Sequence, residues 1–231
     1  MSPDAVPEQQ VYFDELAELF AVFAADTDMI YRPWLAATLP ASGGRAVDLG
    51  CGSGRWTGLL TERYGSVLGV DIAEREIEMA RAAHPGADFA VRSLLDLTPA
   101  EGLFDLVFSV NTVHHLRAHD VVLPHLRSLV APGGLLVVVD ITDPGGWASM
   151  DYQVRDAFLD AEESYRVRSR DHRVAAKVLE LHLHPVWLQH ALNDVPLTRP
   201  EFLHTYDRHF PGAEFAELHR VVTAASWRHP G

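Results

Sequence analysis

The chain alternates short, uninterrupted apolar runs with longer stretches whose apolar positions recur every three or four residues. Five runs stand out: RAVDL (Arg45–Leu49), VLGVD (Val67–Asp71), DFAV (Asp88–Val91), FDLVFSV (Phe104–Val110) and LLVVVDI (Leu135–Ile141). They lack polar alternation, the pattern of strands covered on both faces. The stretches between them read as helices, so the strands are joined by crossovers into a mostly parallel, doubly wound α/β sheet. Ahead of them Phe13, Leu16, Ala17, Phe20 and Ala24 keep helical spacing from about Val11 to Ala24, with Asp14, Glu15 and Glu18 as a polar stripe. Behind them AEFAELHR and VVTAASWR, within Ala213–Arg228, read as two more strands. The helix before these has a capping box in Thr198 and Glu201 and a stop at Pro211-Gly212.

The first strand runs into AVDLGCGSGRW, Ala46–Trp56, with glycine at 50, 52 and 54. In open α/β sheets ligands bind at the carboxyl ends of the strands, where this turn lies. The spacing is D-x-G-x-G-x-G. A dinucleotide turn needs G-x-G-x-x-G, and its third glycine position falls on Arg55 or Thr57. Asp48 changes the picture again, because a carboxylate beside a pyrophosphate is costly and one beside a cation is favourable. The expected ligand therefore brings positive charge to the turn, as S-adenosylmethionine does through its amino group and sulfonium. Asp71 ends the second strand 21 residues after Gly50, where a carboxylate can accept both ribose hydroxyls. Asp71 with Glu74 also has the spacing of a helix capping box, and the two readings are compatible. Ile72 is placed to pack on an adenine face.

Composition narrows the class. The 231 residues are 48% hydrophobic and 22% charged, enough for one large domain or a domain with a cap. Formal net charge is −13, and the densest basic patch, ESYRVRSRDHR, is interrupted by acids, which argues against nucleic acid. No apolar run reaches membrane-spanning length, and MSPDAVPEQQ has no signal-peptide pattern. With Cys51 the lone cysteine, the expected setting is a reducing cytoplasm. Eighteen of the nineteen basic residues are arginine, a bias typical of GC-rich bacterial genomes.

VDLGCGSG, GVDI, FDLVFSVNTVHHL and LVAPGGLLVVVDI, in this order and at these distances, resemble the successive motifs of the class I S-adenosylmethionine-dependent methyltransferases. The resemblance covers about Tyr12–Thr142. It implies a Rossmann-like, seven-stranded sheet closed by a reversed C-terminal hairpin, with S-adenosyl-L-methionine as cofactor. It places Gly50, Cys51 and Gly52 against the methionine end, Asp71 on the ribose and Asn111 near the methionine amino group. Many relatives have an aspartate after the third strand for the adenine amino group. Here Ser93 stands in that place, and adenine reading passes to its hydroxyl or to the backbone of Leu94 or Leu95. The N-terminal helix covers the cofactor in many relatives, which would bring Tyr12 to it.

Two further segments carry candidate chemistry. NTVHHL follows the fourth strand, and His115 is the preferred general base of the histidine pair, against a purely structural role for both. Trp147–Leu192 is too long for a plain crossover, and Val154, Phe158, Ala161 and Tyr165, then Val174, Val178 and Leu181, keep helical spacing. This predicts a helical lid carrying the acceptor-binding side chains Tyr152, His182, Trp187 and His190, suited to a flat organic molecule. His182 and His184 are two apart on a helix and do not share a face, so no metal site is expected. The expected organisation is a cofactor-binding core with N-terminal cap helix at 1–142, a lid at 143–197 inserted between strands five and six, and a helix and hairpin at 198–231. The expected activity is methyl transfer to oxygen or nitrogen of a small molecule. The rivals are a cyclase of the same fold, or a module that binds the cofactor without turning it over.

Overall fold

The computed structural model describes residues 5–231, with side chains from Leu16 onward apart from Ala17. Tyr12 therefore lies outside the described side chains. The chain separates into two compact units, one formed by residues 1–37 and 143–196, the other by 38–142 and 197–231. The N-terminal helix thus groups with the inserted helices.

The larger unit is built on seven strands: β1 (Gly43–Leu49), β2 (Tyr64–Asp71), β3 (Asp88–Val91), β4 (Phe104–Val110), β5 (Val130–Ile141), β6 (Glu214–His219) and β7 (Val222–Arg228). Their order is β3-β2-β1-β4-β5-β7-β6. The β1–β5 pairs are parallel, whereas β7 runs antiparallel to both β5 and β6. This is the expected doubly wound sheet with a reversed hairpin. The order reverses between β1 and β4, which opens a crevice for ligand beyond their carboxyl ends. The bare apolar runs are buried: Val47, Leu49, Val107, Phe108, Val137, Val138 and Val139 are all fully covered. On one face lie α4 (His119–Leu129) and α8 (Arg199–His209), and Leu123, Leu126, Phe202 and Tyr206 join the core from them. The capping box of α8 forms as read, Thr198 N–H donating to Glu201 Oε2 at 2.9 Å. Three strands exceed their apolar runs. β1 begins at Gly43, β2 at Tyr64 and β5 at Val130, because backbone pairing extends into Gly-, Ser- and Pro-containing sequence that carries no apolar signal.

The second unit is helical: α1 (Ala5–Thr38), α5 (Met150–Arg166), α6 (His172–Leu183) and α7 (Pro185–Asn193). The helical pattern at Val11–Ala24 is only the first part of α1, which continues through Pro33. Thr27, Tyr31 and Leu35 prolong its buried face after Ala24, and Thr27 returns its hydroxyl to Phe23 and Ala24 carbonyls. α5 buries a different side from its apolar stripe. Its stripe of Val154, Phe158, Ala161 and Tyr165 is helical in spacing, yet Phe158 and Tyr165 are exposed. The buried side is Tyr152, Gln153, Asp156, Ala157, Asp160 and Ser164.

Candidate active site

The glycine turn answers to sterics first. Gly50, Gly52 and Gly54 have φ of 71°, 51° and 83°, left-handed conformations that side-chain-bearing residues rarely adopt. A Cβ on Gly50 would sit 2.3 Å from the Thr112 side chain, and one on Gly54 would sit 2.8 Å from His84. Backbone bonds tie the turn to β2, with Gly50 and Cys51 N–H both donating to the Val70 carbonyl.

Three carboxylates surround this turn. Asp48 is buried on β1 and accepts the Thr57 hydroxyl at 2.7 Å. Burial pushes its pKa up to about 7, with the nearby Asp71 charge adding to the rise and the Thr57 bond opposing it. At neutral pH its charge is therefore only partly expressed. Asp71, at the end of β2, accepts Gly52 N–H on one oxygen and Ala73 N–H on the other, each at 2.9 Å. The capping-box alternative for Asp71 does not form, because α3 (Glu74–Ala83) starts two residues too late and its N-cap is Ala73. The third carboxylate, Glu76 on α3, lies 3.4 Å from where a Gly52 Cβ would be. The Cys51 thiol registers all three: burial raises its pKa, and Asp48, Asp71 and Glu76 raise it further.

On the adenine side of the predicted site, Ile72 is partly exposed beside Asp71. Ser93 Oγ caps the short 3₁₀ turn Leu94–Asp96 by accepting Leu95 N–H at 3.2 Å. The Leu94 carbonyl accepts from His125 Nε2 at 3.0 Å. Part of the polar capacity assigned to Ser93, Leu94 and Leu95 is thus spent locally.

Asn111 follows β4 with φ of 53°, a conformation uncommon outside glycine and frequent at working sites. Its N–H donates to the Val139 carbonyl at 2.8 Å. The next turn, Val113–His115, separates the two histidines. His114, the residue not preferred from sequence, is buried with Nδ1 2.5 Å from Asp140 Oδ1, at the end of β5. Ile141 N–H donates to the same oxygen. His115 is half-buried and lies against the His114 ring, centroids 3.9 Å apart. The pairing of Asp140 with His114 and that of Thr57 with Asp48 were not read from the sequence. A carboxylate ending an apolar strand was the available signal for Asp140.

In the helical unit the four predicted acceptor-binding residues are mostly engaged with their neighbours. Tyr152 is buried and donates its hydroxyl to Asp156 at 3.1 Å. His190 is buried 3.5 Å from Asp194. His182 bonds the Val178 carbonyl through Nδ1, and its ring meets Phe23 edge-on at 5.0 Å. Trp187 packs among Phe20, Phe23, His182 and His190. His182 and Trp187 keep partly exposed surfaces. His184 caps α7 instead of joining His182.

Residues 46–134 match the family model described as a methyltransferase domain. The chain is 38% identical over 107 residues to trans-aconitate 2-methyltransferase of Methylobacterium radiotolerans, 45% of this chain and 41% of that protein. It is 36% identical over 107 residues to 2-methyl-6-phytyl-1,4-hydroquinone methyltransferase of Synechocystis sp., covering 33% of that protein. The match therefore spans less than half the length of either relative. In fold the chain resembles the DhpI–SAM–HEP complex over 100% of both chains, with a TM-score of 0.62 and 19% identity. It also resembles an S-adenosylmethionine-dependent methyltransferase from Mesorhizobium loti over 87% of this chain and 98% of that one, with a TM-score of 0.59 and 22% identity. Over residues 46–134 the chain is similar to a methyltransferase domain, and its strand order and glycine turn give it the fold of the S-adenosylmethionine-dependent methyltransferases that it resembles. Its residues fit the cofactor: the turn presents bare backbone, and carboxylates rather than cations surround it.

Proposed function

We propose that the protein transfers a methyl group from S-adenosylmethionine to an oxygen or nitrogen of a small organic molecule. The observation that carries this reading is the ring of Asp48, Asp71 and Glu76 around the left-handed Gly50–Gly52 backbone, a setting for a cationic ligand. The names of the relatives, for trans-aconitate and for a hydroquinone, support a small acceptor.

Gly50, Cys51 and Gly52 hold the methionine end, Asp71 the ribose and Ile72 the adenine face. Ser93, Leu94 and Leu95 supply the remaining adenine contacts, and Asn111 meets the amino group. The bound cofactor supplies an electrophilic methyl on a sulfonium leaving group. The protein's part is to exclude water and align the attacking atom, which is worth about 7–11 kcal/mol of barrier. A proton leaving the acceptor goes to His114 Nε2, with Asp140 fixing the Nδ1–H tautomer, as an orienting carboxylate does for a base. This assigns the base role to His114 in place of His115, which packs against it. Trp187 and His182, with their partly exposed surfaces, recognise the acceptor ahead of Tyr152 and His190.

Calorimetric titration with S-adenosylhomocysteine tests the cofactor assignment. We expect tight binding, weakened about tenfold in Asp71→Asn, since hydrogen bonds to a charged group contribute about 1.5–3 kcal/mol. With an acceptor in hand, Asp140→Asn should lower kcat by about 10²-fold or more and flatten the pH–rate profile, and His115→Ala should not. Absence of S-adenosylhomocysteine binding would overturn the reading.

A further inference from the structure

The start of α4 and the outer side of α8 enclose a surface cavity of about 270 Å³ within the sheet unit. Its lining is out of keeping with a chain of formal charge −13. Arg117, His119, Thr205 and Arg208 face into it against one carboxylate, Asp120, with Val121 as an apolar wall. That carboxylate is already engaged: Arg208 Nη2 bonds its Oδ1, and His209 Nε2 reaches the same oxygen at 3.0 Å. These partners hold Asp120 below the usual carboxylate range. Two arginines against one aspartate give the lining one net positive formal charge, with Arg208 already bonded to Asp120.

Guanidinium forks match the geometry of carboxylate and phosphate oxygens, and the Thr205 hydroxyl adds a neutral donor. The volume equals about nine waters at roughly 30 Å³ each, room for an oxyanion on a short carbon chain. Arg117 is three residues beyond His114, so their Cα atoms are at most about 11 Å apart. His119 lines the cavity and feels both Asp140 and His114 through space.

We propose that this cavity binds a small oxyanion, a carboxylate or phosphate group, and its closeness to His114 favours the methyl acceptor as the bearer. The acceptor part of this statement rests on the methyltransferase reading above; the anion site itself does not.

The test titrates the full chain with inorganic phosphate and with succinate, read by calorimetry, in wild type, Arg117→Ala, Arg208→Ala and Asp120→Asn. Circular dichroism confirms that each variant folds. Expected are saturable binding, weakening of about fivefold to tenfold on loss of either arginine, and several-fold tightening in Asp120→Asn. No saturable binding, or affinities indifferent to all three substitutions, would overturn the site. Inhibition of methyl transfer by phosphate, competitive with an anionic acceptor, assigns the anion to the acceptor. Saturable binding without competition supports the site and assigns it to a free anion. S-adenosylhomocysteine titrated into the same samples separates the two ideas: intact cofactor binding beside absent anion binding removes this inference alone, and absent cofactor binding removes the function.

Discussion

The two units bury opposite kinds of surface. In the sheet unit, Val138 of β5 joins Leu123 and Leu126 of α4 in an apolar core, Val137 and Val139 lie on the strand's other face, and all five are 0% exposed. In the helical unit α5 turns Gln153, Asp156, Asp160 and Ser164 inward and leaves Phe158 56% and Tyr165 54% exposed. Arg168 repays part of that burial, with Nε on Asp26 Oδ2 at 2.7 Å, Nη1 on Asp160 Oδ1 at 2.9 Å and Nη2 on the Asp160 carbonyl. One unit is held by non-directional burial that tolerates exchange of apolar shapes. The other depends on a few directional bonds that fail together when one partner is lost.

The sharpest way to break this comparison is Arg168→Met. It leaves Asp26 and Asp160 buried without their cation, and breaking such a group costs about 3–5 kcal/mol. Urea unfolding measures it, and a loss below about 1 kcal/mol would erase the distinction between the units. Gly50→Ala comes next, since a left-handed φ and a Cβ 2.3 Å from Thr112 combine strain with overlap. The expected cost is on the order of 1–3 kcal/mol, with loss of S-adenosylhomocysteine binding beside it.

Asp48, like Asp140 beside His114, is a carboxylate that the sheet unit buries. Its folded pKa of about 7 lies above the ordinary 3.8, so the folded protein keeps a proton that the unfolded chain has released. Stability from this group is therefore greatest at acid pH and falls as pH rises toward 7, by up to about 1.4 kcal/mol per pH unit. Thermal melts of wild type and Asp48→Asn across pH 5–8 should show the wild type losing ground as pH rises; parallel curves would refute the shift. The smallest effect belongs to Phe158→Ser. An exposed site away from caps and cores should move stability by no more than about 0.5 kcal/mol. A larger loss would show that the outer face of α5 is not solvent-facing in solution.

The same contrast explains what could be read in advance. β3 and β4 coincide with their apolar runs because burial on both faces writes itself into composition. The capping box of α8 and the glycine turn were also legible, each being a local steric or hydrogen-bonding requirement. The buried side of α5 was not legible, because it is largely polar and is completed by Arg168, which also binds Asp26 across 142 residues of sequence. A choice between the paired histidines was not legible for a related reason. His114 and His115 are adjacent and chemically identical, and only Asp140, arriving from another strand, distinguishes them. The capping role read for Asp71 was lost to a two-residue shift in helix start, a detail settled by its bonds to Gly52 and Ala73.

The helical unit is assembled from two stretches of chain separated by the whole of β1–β5. A ribosome adding about 5–20 residues per second completes Asp26 roughly 7–28 s before Arg168 exists to meet it. By the end of that interval β1 to β5 have all been made, whereas α6 and α7 have not. Birth order thus lets the parallel strands pair early, with the helical unit and then the β6–β7 hairpin closing late.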